Sequence, residues 1–545
     1  MAQAPGSERE ARARLTSGPE MGPDRRGFLR LVAGALAALS AGAWGARTAP
    51  GALEVHRATR NPQRGRARTR ATPRPVAFKS YPGTPRTGLP RLATAPSASL
   101  ADAVRGGAPA RAFRKGELSP AQLGRLLYLA NGMTGRDPDR GRSHGHRAAP
   151  SAGALYGGEL YVLAERVRGL PPGLYYYDVR GHALARLRSG SFLEETGRAL
   201  EEPEILENAA AIVLVTNVFW RYMRRYRERG YRYALLDTGH ITENLRLALR
   251  SEGLVDAHPL RFHDDRLNAL LQVDGREEAV CALQAVGFPD EGAERPRPGA
   301  RHLVEKGDRG ERELPPDAPV SARYHEATKL VPGDEAEARG APAPWRHASG
   351  GSGIPLPPSG APPARSVERA IRRRCSARRF ARKPVSRADL GFVLEMARGN
   401  AALERAPGVD LHLVVNAVQD LDRGLYRYDA RAHGLVPARK GDLRGPLTRA
   451  CLRQEHAGRA AVGFLMVGRL QEAASRAGER SYRDLLLEAG AIGQRIYLAA
   501  GALGLGARNL SAFTDDELNT LLGWDGRREA ALHLTLLGRL ASEAA

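Results

Sequence analysis

Apolar positions along this chain alternate between two periods, and the same succession of periods occurs twice. Glu159-Leu-Tyr-Val-Leu-Ala164 and Leu411-His-Leu-Val-Val-Asn416 are short apolar runs of strand length. From Tyr233 to about Leu254, and again from Leu485 to Leu503, apolar residues recur three and four apart, which predicts two long helices. Ala279 to Val286 and Ala530 to Leu537 read as closing strands. Each half opens with a helix, passes through strands, carries one long helix and closes with a strand. The expected fold class is α+β.

The two halves are copies. Gly173-Leu-Tyr-Tyr-Tyr-Asp178 returns as Gly424-Leu-Tyr-Arg-Tyr-Asp429, an offset of 251, and His263-Asp-Asp-Arg-Leu-Asn268 returns as Thr514-Asp-Asp-Glu-Leu-Asn519 at the same offset. Upstream, Arg111-Ala-Phe113 matches Arg378-Arg-Phe380 at 267, sixteen more, so the second copy lacks sixteen residues around Pro150–Tyr156. Two copies, and no more, predict an intramolecular pseudo-dimer, since closed two-fold association is the commonest oligomer geometry. The expected domains are 96–290 and 366–541, joined by a Pro/Gly-rich linker at 291–365 and preceded by a disordered Arg/Pro-rich tether at 47–95.

Charge and cysteine content narrow the function little. Lys and Arg outnumber Asp and Glu by 83 to 60, a formal charge of +23. The arginines are spread along the chain without a nucleic-acid-binding signature, so no nucleic-acid partner is expected. Cys281, Cys375 and Cys451 have no metal-site spacing. Residues 1–46 carry a sharper signal: Asp24-Arg25-Arg26-Gly27-Phe28-Leu29-Arg30 precedes a mild apolar run to about Ala43, as in a twin-arginine export signal. The expected location is periplasmic or otherwise extracytoplasmic, with a membrane tether if the signal is uncleaved. Met21 is an alternative start.

Arg374-Cys-Ser376-Ala-Arg378-Arg-Phe380 places two guanidiniums and a hydroxyl at alternate positions, a set of donors suited to a phosphate. The segment is similar to the FMN-phosphate segment of the nitroreductase family. The likeness continues through Ala502-Leu-Gly504-Leu-Gly506-Ala-Arg-Asn-Leu-Ser511-Ala-Phe513 to Leu537-Gly-Arg539. In the first copy, Arg147-Ala-Ala-Pro150-Ser151-Ala152-Gly153-Ala-Leu-Tyr156 and Tyr226-Arg-Glu-Arg-Gly230-Tyr-Arg-Tyr233 resemble the SagB/ThcOx-type branch, which includes azoline dehydrogenases.

The resemblance implies two nitroreductase-like α/β sandwich domains and FMN held across their interface. Arg374, Ser376, Arg378 and Arg539 would hold the phosphate. Pro150, Ser151, Ala152 and Gly153 would line the flavin ring, with Asn509, Leu510 and Ser511 beside it. Copy one has Gly107, Pro109 and Arg111 where copy two has the phosphate ligands, so one composite site is expected, with one FMN per chain. Tyr226 and Tyr233 are the catalytic candidates. The azoline dehydrogenases' Lys-Tyr pair is Arg225-Tyr226 here, and arginine is a poor general base. The implied activity is two-electron hydride transfer through FMN between a small-molecule or peptide substrate and an unknown electron partner. The rival expectation is a degenerate domain pair that binds flavin or a peptide without turnover. His144 and His146 read as loop polarity and His240 as a core histidine.

Overall fold

The computed structural model describes residues 50–61, 76–90, 98–106, 110, 112–136, 145–290, 292, 314, 317–330, 353–358, 364–399 and 408–541. The segment expected to be an export signal, and Gly107, Pro109, Arg111 and His144, lie outside them. In domain one, the strands β1 (Arg86–Gly88), β2 (Phe113–Arg114), β5 (Gly158–Ala164), β6 (Gly173–Asp178), β7 (Ala183–Ser189), β8 (Ala211–Val218), β9 (Val255–Ala257) and β10 (Glu278–Pro289) form one sheet. Its order is β1-β7-β6-β5-β8-β10-β2, with β9 also on β10. A separate hairpin joins β3 (Met133–Arg136) to β4 (Gly145–Arg147). Domain two repeats the order with β11 (Ile354–Pro355), β12 (Val409–Val415), β13 (Gly424–Asp429), β14 (Gly434–Lys440), β15 (Val462–Arg469), β16 (Gly506–Asn509) and β17 (Glu529–Gly538), as β11-β14-β13-β12-β15-β17-β16. All the named pairings are antiparallel. The hairpin β3–β4 and the loop after it lie within the stretch that domain two shortens.

The two long helices, Arg229–Ser251 and Ser481–Ala502, are the expected ones and are buried nearly throughout. They meet backbone to backbone. A Cβ on Gly239 would stand 2.0 Å from the Leu487 carbonyl oxygen, and one on Gly490 would stand 2.2 Å from that of Leu236. Both pairs differ by the repeat offset, so the contact is two-fold symmetric. One continuous apolar core surrounds the helices and takes in both domains, while a smaller core fills the outer face of each sheet.

The tether and the linker contain more structure than their composition predicts. Ala52–Ala58 is a helix and Arg86–Gly88 an edge strand; the linker supplies the helix Val320–Ala327 and the edge strand Ile354–Pro355. Each helix packs on the opposite domain. His56 Nδ1 pairs with Tyr482 Oη at 3.1 Å, and His325 Nδ1 pairs with Tyr231 Oη at 3.1 Å. Asn61 N donates to Asp515 and Leu330 N to Asp264. The arms cross between the domains, and their buried contacts with the opposite domain order segments whose composition is polar.

Candidate active site

One boundary region brings the predicted residues of both domains together. After the helix Val367–Arg373, the chain runs extended through Arg374 to Arg378. Arg374 is buried; its Nε donates to Ala148 O at 2.9 Å and its Nη2 to Arg147 O at 3.1 Å, both in domain one. Its guanidinium lies over the Tyr497 ring, 5.3 Å from the centroid. Arg374 therefore clamps the two domains at this site, a role the phosphate expectation did not include. Ser376 and Arg378 are exposed on the same edge.

The Ser376 hydroxyl is held in place. Asn509 N donates to Tyr497 Oη at 2.8 Å, and Tyr497 Oη stands 2.7 Å from Ser376 Oγ. Either hydroxyl can donate in that pair; when Tyr497 donates, the serine's own proton is available to a ligand. Arg539 is exposed nearby, with its Nε donating to Pro384 O at 3.0 Å. Asn509 is fixed from three sides: Thr535 Oγ1 donates to its Oδ1 at 2.7 Å, its Nδ2 faces His240 Nε2 at 2.6 Å, and its backbone binds Tyr497. Leu510, expected beside the ring, instead buries its side chain in domain two's outer core with Phe513 and Leu518. It follows Asn509 in an extended segment, so its side chain faces the other way.

On the domain-one side, Pro150 to Tyr156 are half-buried, and Gly153, Ala154 and Tyr156 have φ of 62°, 53° and 48°. A Cβ on Gly153 would stand 2.3 Å from Tyr226 Oη, so the close approach this glycine permits is that of Tyr226. Tyr226 is half-buried and edge-on to Tyr233, centroids 4.8 Å apart. Tyr233 is buried, and its hydroxyl donates to Ser511 O at 3.1 Å while accepting from Arg229 Nε at 3.1 Å. Of the two catalytic candidates, Tyr226 is the more exposed to solvent. Ser511 O also accepts from Arg229 Nη2 at 2.7 Å, and Ser511 Oγ contacts His533 Nδ1.

Sequence reasoning missed several residues here. Tyr222 and Asp237 lie beneath the Pro-Ser loop, with Tyr222 Oη donating to Asp237 Oδ2 at 2.6 Å. Burial pushes the Asp237 carboxyl up to about 7, against the hydrogen bonds it accepts from Ser151, Tyr222 and the Ala152 amide. His240 and His533 face each other with centroids 5.7 Å apart, in space left open by Gly493. Burial holds both imidazoles well below the ordinary range, His533 at about 3, so both are neutral. A register shift between Met466 and Val467 on β15, opposite His533 and Ala531, sets where His533 falls. A signal for the arms was present: His56-Arg-Ala-Thr59-Arg60 and His325-Glu-Ala-Thr328-Lys329 are a further repeated motif.

The pseudo-symmetric position is built differently. Arg246 and Glu488 stand where Tyr497 and Asp237 stand in the site above. Arg246 contacts Glu243, Arg495 Nη1 lies 3.3 Å from Glu243, and Arg495 Nη2 lies 3.0 Å from Glu488, all buried. Buried ion pairs fill this boundary. Of the three thiols, Cys281 and Cys451 are buried, and burial pushes them up to about 11 and about 12. Cys375 is exposed. Iodoacetamide on the native protein is therefore expected to modify Cys375 alone, read by mass spectrometry of the digest. Labelling of either buried cysteine under native conditions would contradict this packing.

The sequence matches the nitroreductase family over residues 110–288 and 371–539. The chain belongs to the nitroreductase family, a family of oxidoreductases, and carries two of its domains in tandem. A crystal structure from Anabaena variabilis, described as that of a nitroreductase, superposes with a TM-score of 0.71 at 25% identity. It covers 90% of this chain and 99% of that one, so the alignment takes in both domains. A Methanocaldococcus jannaschii protein named as a nitroreductase is 27% identical over 177 residues, 32% of this chain and 84% of its own length. The trifolitoxin-processing protein TfxB of Rhizobium leguminosarum bv. trifolii is 31% identical over 149 residues, 26% of this chain and 40% of its own length. The microcin B17-processing protein McbC of Escherichia coli is 27% identical over 179 residues, 32% of this chain and 63% of its own length.

Proposed function

We propose that this chain is an FMN-dependent oxidoreductase with one working site at the Arg374–Pro150 boundary. It would transfer a hydride between an organic or peptide substrate and a second electron partner. The observation that carries the reading is that Arg374, at the head of domain two's Arg374–Arg378 segment, clamps the Arg147 and Ala148 carbonyls that lead into domain one's Pro150–Gly153 loop. These are the two segments that the family resemblance assigns to phosphate and ring. The donors present fit a phosphate: the exposed Ser376, whose hydroxyl is held by Tyr497 and through it by Asn509, and the exposed Arg378 two residues on. FMN, when bound, supplies two-electron hydride chemistry. The chain's own residues orient it and shield the reacting face, with Tyr226 over Gly153 and the Arg229-held Ser511 carbonyl on the opposite domain. Likeness to the toxin-processing proteins favours a peptide-derived substrate. Export by the twin-arginine route, which carries folded proteins, agrees with a cofactor loaded before transport.

The test is the visible spectrum and flavin content of the purified protein beside a Ser376→Ala/Arg378→Ala variant. About one FMN per chain, reduced at least tenfold in the variant's affinity, is the expected result; tenfold corresponds to about 1.4 kcal/mol. Protein that is colourless and fails to take up added FMN would overturn the reading and leave a binding role.

A further inference from the structure

The loop that approaches the proposed flavin ring rests on a hydrogen-bond chain with a direction. Tyr156 N donates to Ser151 Oγ at 2.9 Å, and Gly157 N donates to Tyr222 Oη at 2.9 Å. Each hydroxyl oxygen thus already accepts a backbone proton. Tyr222 gives its own proton to Asp237 Oδ2 at 2.6 Å, and Ser151 Oγ stands 3.4 Å from Tyr222 Oη. A tyrosine hydroxyl has one proton, so the Ser151 hydroxyl points its own proton inward, to be shared between Tyr222 Oη and the Asp237 carboxyl. The chain therefore runs inward from the half-buried Ser151, through buried Tyr222, to a buried carboxyl.

Resting on the oxidoreductase reading above, we propose that Ser151, Tyr222 and Asp237 are the proton-accepting arm of the reaction. A substrate bearing H–C–X–H loses its hydride to the flavin and its X–H proton to Ser151 Oγ. The Ser151 proton passes to Tyr222 and the Tyr222 proton to Asp237. The substrate leaves with a C=X double bond, its hydride with both electrons resides on the flavin, and one proton resides on Asp237. Reoxidation by the second electron partner resets the flavin, and the Asp237 proton returns outward along the same three groups.

The surroundings of Asp237 suit this task. The Ala152 amide, from the loop, also donates to Oδ2 at 3.2 Å, and His240, one turn along the same helix, has Nδ1 4.0 Å from Oδ1. From domain two, Thr535 orients Asn509 so that the Asn509 amide nitrogen donates to His240 Nε2, which places the imidazole proton on Nδ1, the Asp237 side. His240 is neutral, through burial and the neighbouring His533 and Arg374. Among the described residues no Lys or Arg forms an ion pair with Asp237, so burial dominates and the carboxyl titrates close to neutrality. Since only the ionised form can accept a proton, proton uptake through this arm strengthens as pH rises through about 7.

Two measurements test the arm. Infrared titration of the flavin-free protein in an Asp484→Asn background, which removes the other buried carboxyl that burial raises, to about 6, is expected to show a carboxyl band that disappears as pH rises through neutrality and is missing when Asp237→Asn is added, where the amide still accepts from Tyr222 and Ala152. In flavin-loaded protein reduced electrochemically through a viologen mediator, which exchanges electrons without protons, an indicator dye is expected to report proton uptake with an inflection near neutrality. That inflection should be lost in Asp237→Asn and in Tyr222→Phe at unchanged flavin content. A band retained when Asp237→Asn is added, or an inflection retained in Tyr222→Phe, would overturn the proposal. If the wild-type protein binds no FMN, the oxidoreductase reading fails on its own, and the infrared titration still decides whether Asp237 is the buried titrating carboxyl.

Discussion

Asp515→Ala is expected to cost roughly 3–5 kcal/mol of stability and to abolish flavin binding, whereas Asp264→Ala costs about the same and leaves flavin bound. The two carboxylates are related by the repeat. Asp515 receives Arg229 Nη1 at 2.5 Å and Arg232 Nη1 at 2.6 Å; Asp264 receives Arg480 Nη1 at 2.5 Å and Arg483 Nη2 at 2.9 Å. All six groups are buried, so deleting either carboxyl strands two guanidiniums without solvent. The functional consequences differ because Arg229 also holds the Ser511 carbonyl in the proposed working site, while Arg480 holds the equivalent Leu260 carbonyl beside the ion-paired boundary. Urea unfolding and the visible spectrum of each variant measure the two effects separately. Equal flavin loss in both variants would sink the single-site assignment.

The same pairs set an acid limit. Burial alone would raise each carboxyl, but Arg229 and Arg232 at Asp515, and Arg480 and Arg483 at Asp264, outweigh it and hold both well below the usual range. A depressed folded value stabilises the protein above the unfolded value of 3.8, and that stability is lost as pH falls below it. Wild-type stability should drop steeply below about pH 4, and the drop should be shallower in the Asp515→Ala variant.

Gly239→Ala and Gly490→Ala are each expected to destabilise the fold by about 4 kcal/mol or more, or to yield insoluble protein. One methyl at either position meets a backbone carbonyl at 2.0 or 2.2 Å, and backbone in the middle of a buried helix has nowhere to retreat. Gly501, in the last turn of the second long helix, provides the control: a Cβ there would meet nothing within 4 Å, and the residue is exposed. Gly501→Ala should be neutral or gain up to about 1 kcal/mol by limiting the unfolded chain. Thermal unfolding of the three variants separates close helix contact from generic helix propensity. A Gly239→Ala protein as stable as Gly501→Ala would show that the helices do not touch through their backbones.

Much of the fold was legible in the sequence because it rests on local periodicity. Leu411 to Asn416 and Ala530 to Leu537 show the apolar runs that a sheet covered on both faces requires, and both are strands. The two long helices show their three- and four-residue spacing for the same reason. The arms were missed because His56 and His325 sit in segments whose overall composition is polar and Pro/Gly-rich. Their order comes from partners far away in the chain, such as Tyr482 and Tyr231. Leu510 was misplaced because alternation along an extended segment decides facing, and a family alignment by residue does not carry that register.

By itself the sequence determined that there are two α+β copies, that one lacks sixteen residues the other has, and that Arg374, Ser376 and Arg378 form a set of donors. Those features follow from periodicity, repetition and the chemistry of side chains close together in the chain. Tertiary structure alone decided that Arg374 closes onto Ala148, that Arg229 ties Asp515 to Ser511, and that Asp237 is buried beneath Ser151 with Tyr222 as its donor. Each of those contacts joins residues separated in sequence. Their strength comes from the exclusion of water, which arises only once both domains have closed around the paired helices.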